Sequence, residues 1–243
     1  NIMPLPQIAT PTYELVLPST GKKIKYRPFL VKEEKILILA LESEDQKQIT
    51  EAVKTTLKSC ISTRGIKIDE LPTFDIEYIF LNIRGKSVGE SVDLIVTCPD
   101  DGTTTVPVKI YIDEIKVEQS ENHTRDIKLD ETYTLRMKYP SLNQFIESNF
   151  SIANDEKVTV EDSFKVIASC IDVVFSAEES WSASDSTAKE LNDWLGTLDS
   201  RQFKQIEDFF ETMPKLSHTI KVTNPNTKVE SDVKLEGITS FFE

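Results

Sequence analysis

Apolar and polar positions alternate near the start of the chain. Tyr13, Leu15 and Leu17 interleave with Thr12, Glu14 and, less cleanly, Val16, the period of a half-buried strand. Pro18-Ser19-Thr20-Gly21 supplies turn residues, Lys22-Lys23-Ile24-Lys25-Tyr26-Arg27 resumes the alternation, and Pro28 stops it. This predicts a β-hairpin, preceded by an extended arm over residues 1–11 that holds Pro4 and Pro6. At Val31 the period becomes helical, and Lys32-Glu33-Glu34-Lys35 opens an apolar run with acids in its first turn. A second helix begins at Asp45, with Ile49, Ala52, Val53, Leu57, Cys60 and Ile61 mostly three and four apart and Gly65 as its C-cap. A third helix is expected from Thr73 as N-cap to Gly85 as terminator. Phe74, Tyr78, Ile79, Phe80, Leu81 and Ile83 make it apolar on nearly every side, so it should be buried.

The pattern then returns to strands. Residues 91–97 and 103–112 flank the turn Cys98-Pro99-Asp100-Asp101-Gly102, and Ile115 and Val117 extend the second strand. Residues 118–131 are polar and acidic and read as a connector, and residues 132–139 alternate up to Pro140. The remainder is mainly helical: a short helix over 141–150, a stripe of Phe164, Ile167, Ile171 and Val174 behind the capping-box-like Thr159-Val160-Glu161-Asp162, a helix over 184–195, and one over 200–213 stopped by Pro214. Residues 218–222 and 228–235 form a terminal hairpin, with a short apolar tail after it. The fold class is therefore α+β, with an N-terminal β-hairpin and helices, a central antiparallel hairpin, and a mainly helical C-terminal half ending in a hairpin. A division into residues 1–131 and 132–243 is expected. Val96-Thr97-Cys98-Pro99-Asp100 is echoed by Val222-Thr223-Asn224-Pro225-Asn226, which predicts two similar hairpins, one in each half.

Composition narrows the function. The 243 residues carry 28 Lys and Arg against 41 Asp and Glu, a formal net charge of −13. That balance argues against nucleic acid, whose recognition needs clustered cations, and against an anionic membrane surface. The longest apolar run, Ile36-Leu37-Ile38-Leu39-Ala40-Leu41, is far too short to cross a bilayer. Three scattered Cys, at 60, 98 and 170, read as reduced thiols of a cytosolic protein.

Candidate chemistry is sparse. Gly85-Lys86-Ser87 resembles the end of a phosphate-binding loop, but Phe80 stands where the first Gly is required, so a helix C-cap and turn is the expected reading. His123 and His218 lack a nearby nucleophile and orienting acid and read as solvated side chains. Cys60 and Cys170 fall on apolar helix faces, and Cys98 has no basic neighbour to activate it. The Cys98 tip resembles one knuckle of a zinc ribbon, but Asp101 occupies the second ligand position and the echoing tip has neither Cys nor His. No catalytic, cofactor or metal residues are assigned. Phe175, Trp181, Trp194, Phe203, Phe209 and Phe210 crowd one stretch. Most should be core, with one or two left as an exposed patch. Candidate partner-binding residues are therefore Trp181 and Trp194, together with the basic strand Lys22, Lys23, Lys25 and Arg27.

Three segments carry a resemblance: Ile8-Ala9-Thr10-Pro11-Thr12-Tyr13-Glu14-Leu15, Lys25-Tyr26-Arg27-Pro28-Phe29-Leu30-Val31-Lys32-Glu33-Glu34-Lys35, and Arg84-Gly85-Lys86-Ser87-Val88-Gly89-Glu90. They resemble the baseplate hub subunits and hub-assembly proteins of T4-like contractile-tailed bacteriophages, above all those of marine myoviruses. The resemblance implies a non-enzymatic hub component or assembly factor that contacts other hub and tail proteins, as a homo- or hetero-oligomer, without cofactor. It places the chain in the host cytoplasm during assembly, and in the virion if it stays. Two other readings compete: a small metal-binding adaptor built on the Cys98 hairpin, and an enzyme with a dispersed carboxylate or Cys98 site.

Overall fold

The computed structural model describes residues 8–150 and 160–241. Residues 1–7 of the expected arm, and Thr159 of the expected capping box, lie outside them. The opening alternation folds as β1 (Tyr13–Val16) antiparallel to β2 (Lys23–Tyr26), with Leu15, Leu17, Ile24 and Tyr26 buried. Asp75, fully buried, receives Ser19 N–H at 3.0 Å and the Ser19 hydroxyl, which ties the hairpin turn to a later helix. α1 (Val31–Glu42) and α2 (Gln46–Cys60) follow and pack on each other. Asp45 caps α2 by accepting from the Lys47 and Gln48 amides. The helix stops at Cys60, because the next residues turn extended and pair with β2 through Arg27 N–H to Cys60 O and Ser62 N–H to Lys25 O. Gly65 is thus not the C-cap; it sits in the following turn at φ +76°.

α3 (Thr73–Val88) is longer than the sequence predicts. Pro72 holds the N-cap position, and Thr73 instead donates its amide and hydroxyl to Pro140 O. Gly85 lies inside the helix, where a Cβ would come within 2.7 Å of Ile112 Cδ1; it permits close packing rather than ending the element. The helix ends before Gly89. Ile76, Ile79, Leu81 and Ile83 are essentially inaccessible, as expected for a helix apolar on most sides.

β3 (Ser91–Thr97) and β4 (Thr105–Tyr111) form the central hairpin. β5 (Lys116–Glu118) does not prolong β4; it pairs with a strand near the C-terminus. The connector also contains β6 (Asp126–Lys128), paired with β7 (Thr134–Met137). After α4 (Leu142–Phe150) and α5 (Val160–Ser169), the expected helical stripe breaks: Ile171 and Val174 belong to β8 (Ile171–Phe175), antiparallel to β7. β9 (Ser180–Ser182) completes a sheet of order β6-β7-β8-β9. α6 (Ala188–Leu195) starts later than the sequence predicts, at a capping box of Thr187 and Glu190. α7 (Ser200–Thr212) starts at a second box, of Asp199 and Gln202. β10 (Lys215–Thr223) and β11 (Glu230–Glu236) close the chain as a hairpin that joins β5 in the order β11-β10-β5.

The described residues thus contain seven α-helices and eleven strands in small antiparallel sheets, an α+β architecture. They bury two apolar clusters. The first gathers β1–β4, α2, α3, Leu142, Phe145 and Ile146 of α4, and the terminal hairpin. The second sets the β6–β9 sheet against α5, α6 and α7 around Leu135, Met137, Ile171, Leu195, Ile206 and Phe209.

Candidate docking surfaces

Trp181 and Trp194 come from β9 and α6, and the second cluster's sheet and helices bring them to one groove of about 620 Å³. Val174, Leu191 and Leu198 line it with them. Trp194 leans on the core, whereas Trp181 is 46% exposed and lies 5.9 Å, centroid to centroid, from Tyr133, itself 41% exposed. Both exposed rings stand on strands or their ends, so their positions are set by the sheet. Of the remaining aromatics, Phe209 is buried and Phe164 stacks on Phe203 at 5.2 Å.

Two carboxylates mark the groove's rim. Asp130 accepts from the Thr132 and Tyr133 amides, both at 2.7 Å. Glu190 accepts from the Thr187 amide and hydroxyl at 2.7 and 2.8 Å. Those donors hold both carboxyls below their usual range, so the rim carries two fixed negative charges at neutral pH. An aromatic floor with an anionic rim suits a segment of apolar and basic side chains. Tyr133 and the rim are beyond the sequence reading, because nothing local marks them as neighbours of either Trp.

The basic strand lies on the N-terminal hairpin and contributes nothing to the groove's lining. Lys22, Lys23 and Lys25 are exposed, Lys25 standing 3.7 Å from Glu14. Arg27 differs. Its guanidinium donates to Glu33 at 2.8 and 3.2 Å and to Pro28 O at 3.0 Å. Burial pushes the Glu33 carboxyl up, but Arg27, the Leu30 amide and Lys32 outweigh it and hold the group at about 2. Arg27 thereby neutralises a buried acid at the start of α1, a structural task.

His123 is not the solvated side chain expected of its loop. Its Nδ1 lies 2.9 Å from Thr212 Oγ1 and its Nε2 2.9 Å from Tyr139 Oη, and the ring packs on Tyr139 and Phe209. Thr212 donates its own hydroxyl proton to Asp208 O, so Nδ1–H donates to Thr212 and Tyr139 donates to Nε2, which is the neutral tautomer. Burial, with Arg125 nearby, lowers the His123 pKa accordingly. His218 stands 3.8 Å from Glu114.

All three cysteines are free and buried. Burial raises the Cys98 thiol, and the carboxylates of Asp100 and Asp101 raise it further, the opposite of an activated nucleophile. The two echoing hairpin tips meet. Asn224 and Thr227 donate to Asp100, and Asn224 also donates to Asp101. Asp101, at the second zinc-ribbon ligand position, is therefore hydrogen-bonded to Asn224 of the echoing tip. Among the described residues no group of three His, Cys, Asp or Glu is placed to hold a metal ion, and no helix is long and apolar enough to cross a membrane.

Comparison with known proteins is consistent with the resemblance noted in the sequence. No curated protein and no solved structure matches the chain. One family, described as T4 bacteriophage base plate protein, matches residues 10–243. With nearly its whole length matched, the chain belongs to that family of phage baseplate proteins.

Proposed function

We propose that this baseplate protein is a non-enzymatic component or assembly factor of the tail hub, working through contacts with other hub and tail proteins. The observation that carries the reading is the Trp181–Trp194 groove. Tryptophan and tyrosine on rigid elements are the side chains most often found anchoring interfaces, and an exposed apolar surface of this kind marks a contact site. The partner segment would be apolar with a basic residue for Asp130 or Glu190. Lys22, Lys23 and Lys25 offer a second, oppositely charged surface that orients docking and speeds encounter. On this reading the chain acts in the host cytoplasm during assembly and, if it stays, in the tail of the virion.

The test is co-expression with the other hub proteins of the same phage, followed by size-exclusion chromatography. One partner should co-elute with the wild type, and Trp181→Ala with Tyr133→Ala should release it while leaving the fold intact. A chain that elutes alone beside every hub protein would sink the proposal. Mass spectrometry of purified virions separates the two roles: a subunit is present in the particle, and an assembly factor is not.

A further inference from the structure

β9 ends the sheet β6-β7-β8-β9, so one side of it has no strand beside it among the described residues. The register of the β8–β9 hairpin decides which groups that side displays. Ser176 N–H donates to Glu179 O at 2.8 Å, which makes those two residues a hydrogen-bonded pair. Such pairs alternate along an antiparallel ladder, so Val174 and Trp181 form the next one, and Phe175–Ser180 and Val173–Ser182 fall between. Trp181 therefore turns its amide and carbonyl toward β8. The Ser180 N–H and C=O and the Ser182 N–H point outward, with no partner among the described residues. Exposed edges are normally blunted by Lys, Pro or other charged positions. The opposite edge of this sheet follows that rule, with Asp126 and Lys128 in β6. β9 reads Ser-Trp-Ser and carries none of them. Its middle residue is the exposed Trp181 of the groove.

We propose that this edge accepts an extended, basic segment of a partner protein as an added antiparallel strand. The proposal rests on the tryptophan groove being a docking site and states how it is filled. Backbone bonds to Ser180 and Ser182 hold the segment, the mode in which a peptide extends a sheet. The residue opposite Trp181 stands on the same sheet face as that ring and packs on it. Side chains two places to either side share the face. Charge selects the occupant. Residues 176–195 carry five acids against one cation, Lys189. Glu178 and Glu179 stand just before β9 and Asp185 just after it, all exposed and none in an ion pair among the described residues. With Glu190 on the groove's rim, acids border both ends of the edge. Antiparallel pairing of two copies through β9 would set Glu178 and Glu179 of one near Asp185 of the other, and like charges at opposed positions repel. A segment that alternates apolar residues with Lys or Arg meets the same acids favourably.

The probe is the synthetic peptide acetyl-Lys-Thr-Lys-Val-Leu-Val-Lys-Thr-Lys-amide, titrated into the full chain by isothermal calorimetry. Its leucine and lysines share one face of a strand, and its valine amides face β9. Binding should be measurable below ~1 mM, weaken with added salt, and vanish when Glu replaces every Lys. Ser182 already has φ −75°, close to the value proline fixes. Ser182→Pro therefore removes the outward N–H without bending the strand, which circular dichroism checks, and it should weaken binding at least ~10-fold. Ser182→Ala, which keeps the N–H, should stay within ~2-fold of wild type. N-methylation of both valines should abolish binding, whereas N-methylation of the leucine, whose amide faces away from β9, should preserve it. These peptides leave the protein itself unaltered. A wild type that binds nothing below ~1 mM overturns the proposal, as does binding indifferent to valine methylation or to Ser182→Pro. Binding lost in Trp181→Ala but indifferent to both would leave the groove a docking site and remove strand addition. The hub reading fails on a different result, the absence of co-elution with any hub protein.

Discussion

Asn224 and Asp100 are 124 residues apart in sequence, and they lock two hairpin tips together. The Asn224 amide donates to both Asp100 oxygens at 3.0 and 3.1 Å and to Asp101 Oδ2 at 2.9 Å. Its own oxygen accepts from the Asn226 and Thr227 amides at 2.8 and 3.3 Å. Asn224 is fully buried, so every polar atom it has is satisfied by protein. Only a side chain with a donor end and an acceptor end serves both the tight turn and the two carboxylates.

Asn224→Ala should therefore cost about 1–3 kcal/mol, the range for stranding buried hydrogen-bond partners. Asn224→Asp should be worse at pH 7, because it adds a third carboxylate to two already ionised. The aspartate variant should recover part of its loss as pH falls and the cluster protonates. Urea unfolding at pH 7 and pH 4.5 measures both effects.

Arg27→Ala strips the buried Glu33 of its main partner and leaves it only the exposed Lys32 at 3.6 Å and the Leu30 amide, and the expected loss is up to about 3–5 kcal/mol. Glu33 has a folded pKa of about 2 against an ordinary 4.5. The unfolded chain binds the extra proton in that window, so the pair's stabilisation is present above about pH 4.5 and is lost as pH falls toward 2. In Arg27→Ala this acid-dependent loss should shrink, which the difference between the two unfolding profiles reveals.

His123 should make stability rise with pH. Its folded pKa lies below the ordinary 6.5, so the unfolded chain binds more protons just below that value, and the stabilisation is lost as pH falls through the folded pKa. His123→Gln, which loses the fitted bonds to Tyr139 and Thr212, should be less stable than wild type at pH 7.5 by about 1–2 kcal/mol. That gap should narrow at pH 5. A gap that is constant across the range would refute the neutral-imidazole assignment.

Glu77 should act in the opposite sense. Burial outweighs the Ile238 amide and raises its carboxyl from 4.5 to about 7. Here the folded chain holds the extra proton, so a destabilising contribution develops as pH rises from about 4.5 to 7. Glu77→Gln should melt higher than wild type at pH 8 and match it near pH 4.5. The His123 and Glu77 slopes oppose each other just below pH 6.5, so the wild-type profile should be flatter there than either variant's.

Elements whose signal is local were readable from the residues. The hairpin around Pro18 to Gly21 and α7 before Pro214 each combine a clear period with its own stop, and α2 combines a clear period with its own start at Asp45. Gly85 and Ile171 misled because their neighbourhoods support two readings. A glycine after Arg84 suits a helix end, and only the approach of Ile112 makes it an interior packing position. Ile171 and Val174 continue a three-and-four spacing from Phe164 and Ile167, yet they are β-branched or flank such residues and pair with β7. Strand pairing, a non-local term, decided between the two.

The amino-acid pattern by itself determined the mixed α+β class, most of the strands and helices, the near-total burial of α3 and the kinship of the two Pro-containing hairpin tips. Each of these rests on spacing within a few residues. Tertiary structure alone decided that those tips touch, that Arg27 serves Glu33 rather than solvent, that His123 meets Thr212 and Tyr139, and that Trp181 shares a groove with Trp194. It also decided that β9 stands at an edge of its sheet among the described residues. Hydrogen bonds, ion pairs and grooves depend on which distant segments the two apolar clusters draw together, and a period of two or 3.6 residues carries no record of that choice.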